Sequence, residues 1–318
     1  MAVYSKVSKE ELNLFLKEYD IGSLKSFESI LEGIENTNYK IITSKDTYIL
    51  TIFEKRVKSE DLPFFIELKK HLINKKFSCP KPISNKKGYI INIINNKLCV
   101  IISFLKGTQT ENITNNHCRE VGKILSSLHE NTSDFKYKRV NSMSYVQWEK
   151  IYLKCRKYDN KIYKYLLNDI KKELSFLEKN WPTKLPMGII HADVFRDNVF
   201  FIENKFSGLI DFYFACYDFL SYDIALTINA WCFDLHGKFY KDKFRSIISG
   251  YENHRYLIDE EKISLSILLR GAAIRILLTR LHDKLFHQKE SFVEPKDPEE
   301  YIKILNFHQN VDVKNYIK

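Results

Sequence analysis

The sequence lacks an apolar run long enough to cross a bilayer, because charged residues interrupt its hydrophobic segments at short intervals. No basic segment followed by an apolar one opens the chain, so we expect no secretion signal. The six cysteines include no Cys-x-x-Cys pair and no spacing with histidine that is typical of a metal site. We therefore expect reduced thiols, a cytoplasmic location and no interaction with membranes.

A concentrated basic arm is also absent, although the formal net charge is +10. The lysines occur as scattered pairs on otherwise amphipathic segments, and the sequence contains no recognised nucleic-acid motif. We interpret the excess charge as a solvated surface that would attract an anionic nucleotide, and we expect no nucleic-acid partner. With 318 residues and no internal repeat, the chain can bury a large core as one bilobal unit or two domains.

The first third of the chain predicts an antiparallel sheet with flanking helices. Ser8 and Glu11 form the pattern of a capping box, which predicts an amphipathic first helix. Strand-like alternation follows between about residues 24 and 55, and a helix is predicted from about residue 59 to residue 75. Residues 89–104 predict a hairpin around an Asn-Asn turn.

After Gly107 the pattern becomes helical. The predicted helices run from Thr114 to near His129, then twice between residues 142 and 180, and then near residues 221–235, 239–253, 259–286 and 297–309. The pattern therefore predicts an α+β protein. We place a sheet-containing amino-terminal lobe at residues 1–104 and a larger helical carboxy-terminal lobe at residues 105–318.

The residues that carry chemistry concentrate in the segment 188–213, where an apolar run ends in a polar cluster and a predicted hairpin ends in a second carboxylate. Asp193, Asn198 and Asp211 have the order and spacing that suit phosphoryl transfer. One Asp accepts the proton of the attacking hydroxyl, while the Asn and the other Asp hold Mg²⁺ on the phosphates. His191 is either a buried residue that supports this loop or a direct participant.

Three motifs resemble the aminoglycoside phosphotransferase and choline kinase superfamily, whose fold is similar to that of protein kinases: His191-Ala192-Asp193 with Asn198, Ile210-Asp211-Phe212, and Tyr222-Asp223-Ile224-Ala225. Finer features look like the bacterial homoserine kinase branch of that superfamily. They include Met1-Ala2-Val3-Tyr4, Leu50-Thr51-Ile52-Phe53-Glu54-Lys55-Arg56 and Asn229-Ala230-Trp231-Cys232-Phe233. The matches extend from residue 1 to about residue 235.

The resemblance implies a bilobal protein-kinase-like fold and ATP-dependent phosphorylation of the hydroxyl of L-homoserine, a step toward threonine. It makes Asp193 the catalytic base, Asn198 and Asp211 the magnesium ligands, and Asp223 a structural support of the loop. Two alternatives stay open: a kinase for another small alcohol, such as an aminoglycoside or an amino alcohol, and a nucleotide-binding regulator without catalysis. The sequence leaves the oligomeric state open.

Several residues are candidates for nucleotide binding. Asn36 and Asn38 belong to a predicted loop, residues 32–38, which would cover the phosphates. That loop contains a single glycine, and it fits an ordinary hairpin turn as well as a phosphate loop. A predicted hinge, in which backbone groups would bind adenine, is equally compatible with a plain linker; its candidates are Ser103, Phe104 and Leu105.

The lysine that would contact the phosphates is not evident. The kinase fold usually carries it on the third strand, where this sequence has Thr51. Lys55 would share a strand face with Thr51, so it is the candidate, with an ordinary exposed lysine as the alternative. Glu67 stands where the fold keeps a glutamate that pairs with the nucleotide-binding lysine, and its alternative is a solvated helix position.

A substrate carboxylate would favour a planar guanidinium, and three arginines follow residue 259: Arg270, Arg275 and Arg280. We choose Arg275 for the carboxylate and Tyr213 and Trp231 as further substrate residues beside Asp193. Salt bridges between helices are the alternative for each arginine. Arg196 stands where the resembling kinases more often have proline, and we expect its side chain to face solvent or to lie next to a phosphate.

Overall fold

Apolar and polar residues alternate along several segments of the first hundred residues, and in the computed structural model these segments form a six-stranded antiparallel sheet. The structure describes residues 5–30, 36–54, 57–158, 163–287 and 294–316. The chain divides into two compact units. The first unit comprises residues 1–107 and 207–213, and the second comprises residues 108–206 and 214–318. The predicted division after residue 104 did not anticipate that a later segment joins the first unit.

The strands of the first unit's sheet are β1 (Leu24–Ile30), β2 (Asn36–Thr43), β3 (Thr47–Phe53), β4 (Pro82–Ile83), β5 (Ile91–Ile94) and β6 (Lys97–Ser103). Their order is β1-β2-β3-β6-β4, and β5 also pairs with β6. Asn95 and Asn96 connect β5 to β6 with positive φ angles of 49° and 60°. Asparagine tolerates this left-handed conformation, and the predicted hairpin is confirmed.

Two helices complete the described part of the first unit, α1 (Lys9–Leu16) and α2 (Leu62–Asn74). The capping box of α1 is formed in both directions. The backbone N–H of Ser8 donates to the Glu11 carboxylate at 2.7 Å, and the N–H of Glu11 donates to the Ser8 hydroxyl at 3.2 Å. The core of this unit packs α1 against the sheet through Leu12, Ile41, Leu50, Ile52 and Ile101. Burying each such side chain contributes about 1.5–3 kcal/mol.

The second unit contains the helices α3 (Asn115–Asn131), α4 (Tyr145–Lys157), α5 (Lys164–Asn180), α6 (Leu220–Trp231), α7 (Lys241–Tyr251), α8 (Asp259–Leu285) and α9 (Glu299–Asn310). Its short strands β7 (Met187–Ile190) and β10 (Cys216–Phe219) pair antiparallel. A turn at residues 203–204 leads from β8 (Val199–Ile202) to β9 (Lys205–Leu209), and the boundary between the units lies within β9. All predicted helices are present.

Packing in the second unit depends on helices that approach closely. A Cβ on Gly122 of α3 would lie 2.1 Å from the carbonyl oxygen of Ile247, and one on Gly250 of α7 would lie 2.0 Å from that of Arg119. Only glycine therefore fits at these two positions. Every residue of α6 is buried, as its uninterrupted apolar pattern predicts. Helix α6 ends at Trp231, before the predicted residue 235.

The residues just after α6 explain this earlier end. The side chain of Asp234 accepts hydrogen bonds from the backbone N–H groups of His236 and Lys238, at 2.9 and 3.0 Å, and so closes a turn. All six cysteines are buried and free. Among the described helices, none is long and apolar enough to span a membrane.

Candidate active site

The loop after β7 has a backbone conformation that its surroundings must hold. Ala192 has a positive φ of 62°, which is unfavourable for a residue with a Cβ atom. The carboxylate of Asp223 accepts the N–H groups of His191 and Ala192 at 2.7 and 2.8 Å. Arg275 donates to the carbonyl oxygen of Ala192 at 2.8 Å. Two charged side chains thus fix the peptides on both sides of Ala192.

Asp223 itself is fully buried, on α6. Its carboxylate lies 3.2 Å from Nε2 of His129, whose Nδ1 is 2.8 Å from the Tyr251 hydroxyl. Burial acts to raise the pKa of Asp223, but the hydrogen bonds from His129 and the amide of His191 outweigh that effect and lower the pKa. The group therefore stays ionised and can accept several hydrogen bonds at once.

Asp193 and Asn198 are joined directly. The side-chain nitrogen of Asn198 donates to the backbone oxygen and to the carboxylate of Asp193, both at 2.9 Å. These two bonds occupy the amide nitrogen and direct the amide oxygen of Asn198 away from Asp193. Trp231 donates from its indole nitrogen to the carbonyl oxygen of Val194 at 2.8 Å, which supports the same loop.

Asp211 belongs to the first unit and also has a positive φ, 59°. The N–H of Tyr213 lies 3.4 Å from its carboxylate. The ring of Tyr213 packs edge-on against Phe53 and Phe65, with centroid distances of 5.3 and 5.4 Å. The ammonium of Lys69 lies 4.9 Å from the centroid of the same ring. Aromatic packing and a buried cation therefore surround the Asp211 segment.

The donor atoms of Asn198 and Asp211 suit a hard cation. Mg²⁺ takes oxygen ligands, and it is usually held by one or two carboxylates together with phosphates and water. The described residues contain no group of three or more His, Cys, Asp or Glu side chains that could hold a metal ion. The amide oxygen of Asn198 and the carboxylate of Asp211 are therefore each of a kind that Mg²⁺ binds.

A cavity of about 580 Å³ opens in the second unit beside the loop that follows β7. Its lining includes four basic and five acidic residues: Arg196, Arg280, Lys296, Lys303, Glu111, Asp197, Asp297, Glu299 and Glu300. Tyr301 also lines it. Burial raises the pKa of the Tyr301 hydroxyl, on which the charges of Arg280 and Asp193 also act. The lining also includes Phe195, so the cavity reaches a residue two positions after Asp193.

Arg280 is held at this cavity without using all its donors. Its Nη1 donates to the Glu300 carboxylate at 2.6 Å and to the carbonyl oxygen of Asp297 at 3.0 Å. The guanidinium carbon lies 4.6 Å from the ring centroid of Tyr301. Its Nε and Nη2 have no hydrogen bond to any residue that the structure describes, so they can still donate to a ligand.

Comparison with known proteins now identifies the family. Residues 26–264 match the family described as the phosphotransferase enzyme family. The chain belongs to this family. It is 46% identical over 312 residues to a homoserine kinase of Xanthobacter autotrophicus, with 98% of this chain and 97% of the relative covered. A homoserine kinase of Agrobacterium fabrum is 43% identical over 311 residues, with 98% and 97% covered.

Solved structures share the fold of this phosphotransferase. An amicoumacin kinase in complex with AMP-PNP and Ca²⁺ has a TM-score of 0.73 at 13% identity, covering 98% of this chain and 94% of its own. A spectinomycin phosphotransferase in complex with ADP and spectinomycin has a TM-score of 0.68 at 15% identity, covering 98% of both chains. The predicted kinase-like α+β fold is confirmed, as is the predicted resemblance to the superfamily and its homoserine kinase branch.

The predicted phosphate loop is wrong at its carboxy-terminal end, because Asn36 and Asn38 lie within β2. The side-chain oxygen of Asn38 accepts a hydrogen bond from Thr51 at 2.8 Å. The side-chain oxygen of Asn36 is buried and has no partner among the described residues. Lys55, the predicted phosphate ligand, lies outside the described residues.

In the predicted hinge, the backbone N–H groups differ in their availability. Ser103 donates to the carbonyl oxygen of Lys81 at 2.8 Å, and Phe104 donates to that of Thr47 at 3.2 Å. The N–H of Leu105 has no hydrogen-bond partner in the described part of the chain. Among the described residues, Leu105 therefore differs from Ser103 and Phe104 in that its N–H is not used within the protein.

Glu67 is half-exposed and pairs with Lys70, one turn along α2, at 2.8 Å. This contact is what the alternative of a solvated helix position describes, and the pairing of Glu67 with a nucleotide-binding lysine stays a prediction because Lys55 lies outside the described residues. The buried cation of this helix is Lys69, which the sequence reasoning missed. A signal was present, because Lys69 lies at helical spacing from the apolar residues Phe65 and Leu72.

Two of the predicted substrate residues have other partners in the structure. Arg275 is 2% exposed and donates to the loop, so its guanidinium is not open to a substrate carboxylate. Trp231 is fully buried and bonds to Val194. Both side chains therefore support the loop after β7, and their roles at the substrate stay predictions. The substrate role of Tyr213 stays a prediction.

Three further residues considered in the sequence analysis also have partners or burial that the structure shows: Arg270, His191 and Arg196. Arg270 makes two hydrogen bonds to Glu173, at 2.7 and 2.6 Å, which is the salt bridge between helices that the alternative described. His191 is fully buried, which favours the alternative of a residue that supports the loop. Arg196 is half-buried, and its guanidinium donates to the carbonyl oxygens of Ala230 and Phe233. Arg196 is therefore not simply solvent-facing, because the carbonyl oxygens at the end of α6 attract a cation; its expected position next to a phosphate stays a prediction.

Proposed function

We propose that this phosphotransferase transfers the γ-phosphoryl group of ATP to the hydroxyl of L-homoserine and forms O-phospho-L-homoserine, a step toward threonine. The observation that carries the proposal is the similarity to homoserine kinases, which reaches 46% identity and covers nearly the whole of both chains. Asp193, Asn198 and Asp211 are all retained. That supports catalysis over a nucleotide-binding regulator, which has no need of all three residues.

In the proposed mechanism, Asp193 orients the substrate hydroxyl and accepts its proton as the phosphoryl group transfers. Asn198 keeps the Asp193 carboxylate in place through its side-chain nitrogen. The amide oxygen of Asn198 and the carboxylate of Asp211 would hold Mg²⁺, which when bound neutralises charge on the phosphates. The hydrogen bonds from Asp223 and Arg275 to the backbone around Ala192 would keep Asp193 from moving during the reaction.

For the nucleotide, the available N–H of Leu105 would donate to adenine. The buried side-chain oxygen of Asn36 could accept a further hydrogen bond from a ligand or water. The enzyme would act on small molecules in the cytoplasm, where the six buried free thiols would stay reduced.

For the acceptor, the charged cavity of the second unit is the proposed site. Arg280 would bind the α-carboxylate of homoserine through Nε and Nη2, which form the planar fork that suits a carboxylate. The acidic side chains of the lining could hold the α-ammonium group. Four basic residues among the nine charged ones favour a zwitterionic amino acid over the strongly cationic aminoglycosides of the alternative.

A coupled assay that follows ADP release tests the proposal with L-homoserine, L-threonine, L-serine, choline and kanamycin as acceptors. We expect Mg²⁺-dependent turnover that is clearly highest with L-homoserine. Equal or faster turnover with any other acceptor of this panel would contradict the assignment. Binding of ATP without turnover of any acceptor would favour the regulator instead.

A further inference from the structure

The described part of the first unit contains a buried cation that packing alone does not require. Lys69 is 2% exposed, whereas its neighbour Lys70 has a side chain that is 45% exposed and pairs with Glu67. The Lys69 ammonium has no hydrogen bond or ion pair within the described ranges, and it lies 4.9 Å from the centroid of the Tyr213 ring. A buried ammonium without a partner is unfavourable unless an anion compensates it.

The position of Lys69 shows where such an anion would sit. Its ring partner Tyr213 follows Asp211 by two residues, and the N–H of Tyr213 points at the Asp211 carboxylate. Burial lowers the pKa of Lys69, while the nearby Cys79 and Asp211 act to raise it. The ammonium therefore lies beside the residue that would hold the metal on the phosphates.

Strand β3 has no cation at the position where the kinase fold usually carries its phosphate-binding lysine. Thr51 of β3 carries a hydroxyl, which donates to the side-chain oxygen of Asn38 at 2.8 Å. ATP carries several negative charges that a lysine and Mg²⁺ normally neutralise together. We propose that Lys69, reaching from helix α2, contacts the phosphates of the nucleotide and supplies the charge that Thr51 cannot. This inference rests on the proposed function, since it presupposes ATP as the phosphoryl donor.

The test compares Lys69→Met with Lys70→Met, which removes the neighbouring exposed charge from the same helix. Isothermal titration calorimetry would measure the affinity of each variant for ADP, with and without Mg²⁺, and for adenosine. We expect Lys69→Met to weaken ADP binding by about tenfold or more, because a charge-assisted hydrogen bond is lost. Adenosine binding should not change, because adenosine has no phosphate. Lys70→Met should match the wild type with both ligands.

Thermal unfolding separates this role from a structural one. A phosphate-binding lysine predicts that Lys69→Met keeps or raises the Tm, since methionine replaces an unpaired buried ammonium. Unchanged ADP affinity in a folded Lys69→Met protein, or equal losses of ADP and adenosine binding, would overturn the proposal. If Lys69→Met does not fold, Lys69→Gln serves in its place, and Lys69→Arg should recover most of the ADP affinity. Failure of the wild type to bind ADP would contradict the proposed function itself.

Discussion

The loop that carries Asp193 and the segment that carries Asp211 both hold an unfavourable backbone conformation, and different interactions stabilise it in each. Both contain a non-glycine residue with a positive φ, 62° at Ala192 and 59° at Asp211. Around Ala192, the charged side chains of Asp223 and Arg275 bind the peptide directly. Around Asp211, the rings of Phe53, Phe65 and Tyr213 pack next to the ammonium of Lys69.

The difference indicates what each segment has to do. Directional hydrogen bonds to a charged group fix the orientation of a peptide, as proton transfer from a positioned hydroxyl requires. Aromatic packing sets a position with less angular restraint, and it leaves the nearby charge to be matched by a ligand. We therefore expect changes near Ala192 to affect turnover and stability, and changes near Asp211 to affect nucleotide binding.

The largest expected effect distinguishes the two carboxylates. Asp193→Asn should keep the fold and the ATP affinity but lower kcat by at least ~10²-fold, because it removes the proton acceptor. Asp211→Ala should weaken binding of the metal-nucleotide complex as well as turnover. Steady-state kinetics together with calorimetry would measure both. A near-normal kcat at saturating ATP in both variants would contradict the proposal that Asp193 accepts the proton and Asp211 holds the metal.

The next largest effect is expected at Asp223, whose carboxylate accepts the backbone N–H groups of His191 and Ala192. Asp223→Asn loses the charge that accepts both loop amides and replaces one acceptor oxygen with a donor. Because Asp223 is buried, we expect a loss of about 3 kcal/mol in the free energy of unfolding. Denaturant unfolding would measure it. Asp218→Asn is the control, since Asp218 bonds to Asn141 and to the amide of Phe219 instead of to the loop. An equal loss of unfolding free energy in both variants would show that the hydrogen bonds from the loop to Asp223 contribute no more than those of another buried carboxylate.

A smaller effect is expected at the acceptor cavity. Arg280→Met should raise the KM for L-homoserine about tenfold and leave the KM for ATP unchanged, because a bidentate contact to the carboxylate is lost. Arg270→Met is the matched control on the same helix. It should lower the Tm by unpairing Glu173, yet keep both KM values. If Arg270→Met raised the KM for homoserine as much as Arg280→Met, the assignment of Arg280 would fail.

The smallest effect is expected at Arg196. The residue before it, Phe195, is extended with ψ of 167°, which suits a following proline. Arg196→Pro should therefore cost only the hydrogen bonds to the end of α6, about 1 kcal/mol, and so should Arg196→Met. Denaturant unfolding of both variants checks this. A much larger loss for the proline variant would show that the backbone at this position resists proline.

The sequence patterns predicted most of the elements correctly, because each depends on neighbouring residues. The capping box at Ser8 and the Asn-Asn turn after β5 are local chemistry, and both formed as expected. Local patterns failed where a distant residue decides the outcome. Asn36 resembles a loop residue, yet it pairs with Phe53 across the sheet. On α2 the sequence did carry a signal, because Lys69, and not Glu67, lies at helical spacing from the buried residues Phe65 and Leu72.

The sequence by itself determined the family, the kinase-like fold and the three residues proposed for catalysis, because their order and spacing along the chain form the motif. Tertiary structure alone decided the roles of the arginines. Arg270, Arg275 and Arg280 follow one another on α8 and look equivalent in the sequence, yet one pairs with Glu173, one braces Ala192 and one lines the cavity. The physical reason is that a helix turns by about 100° per residue. Positions five residues apart therefore face different neighbours, and those neighbours come from distant parts of the chain.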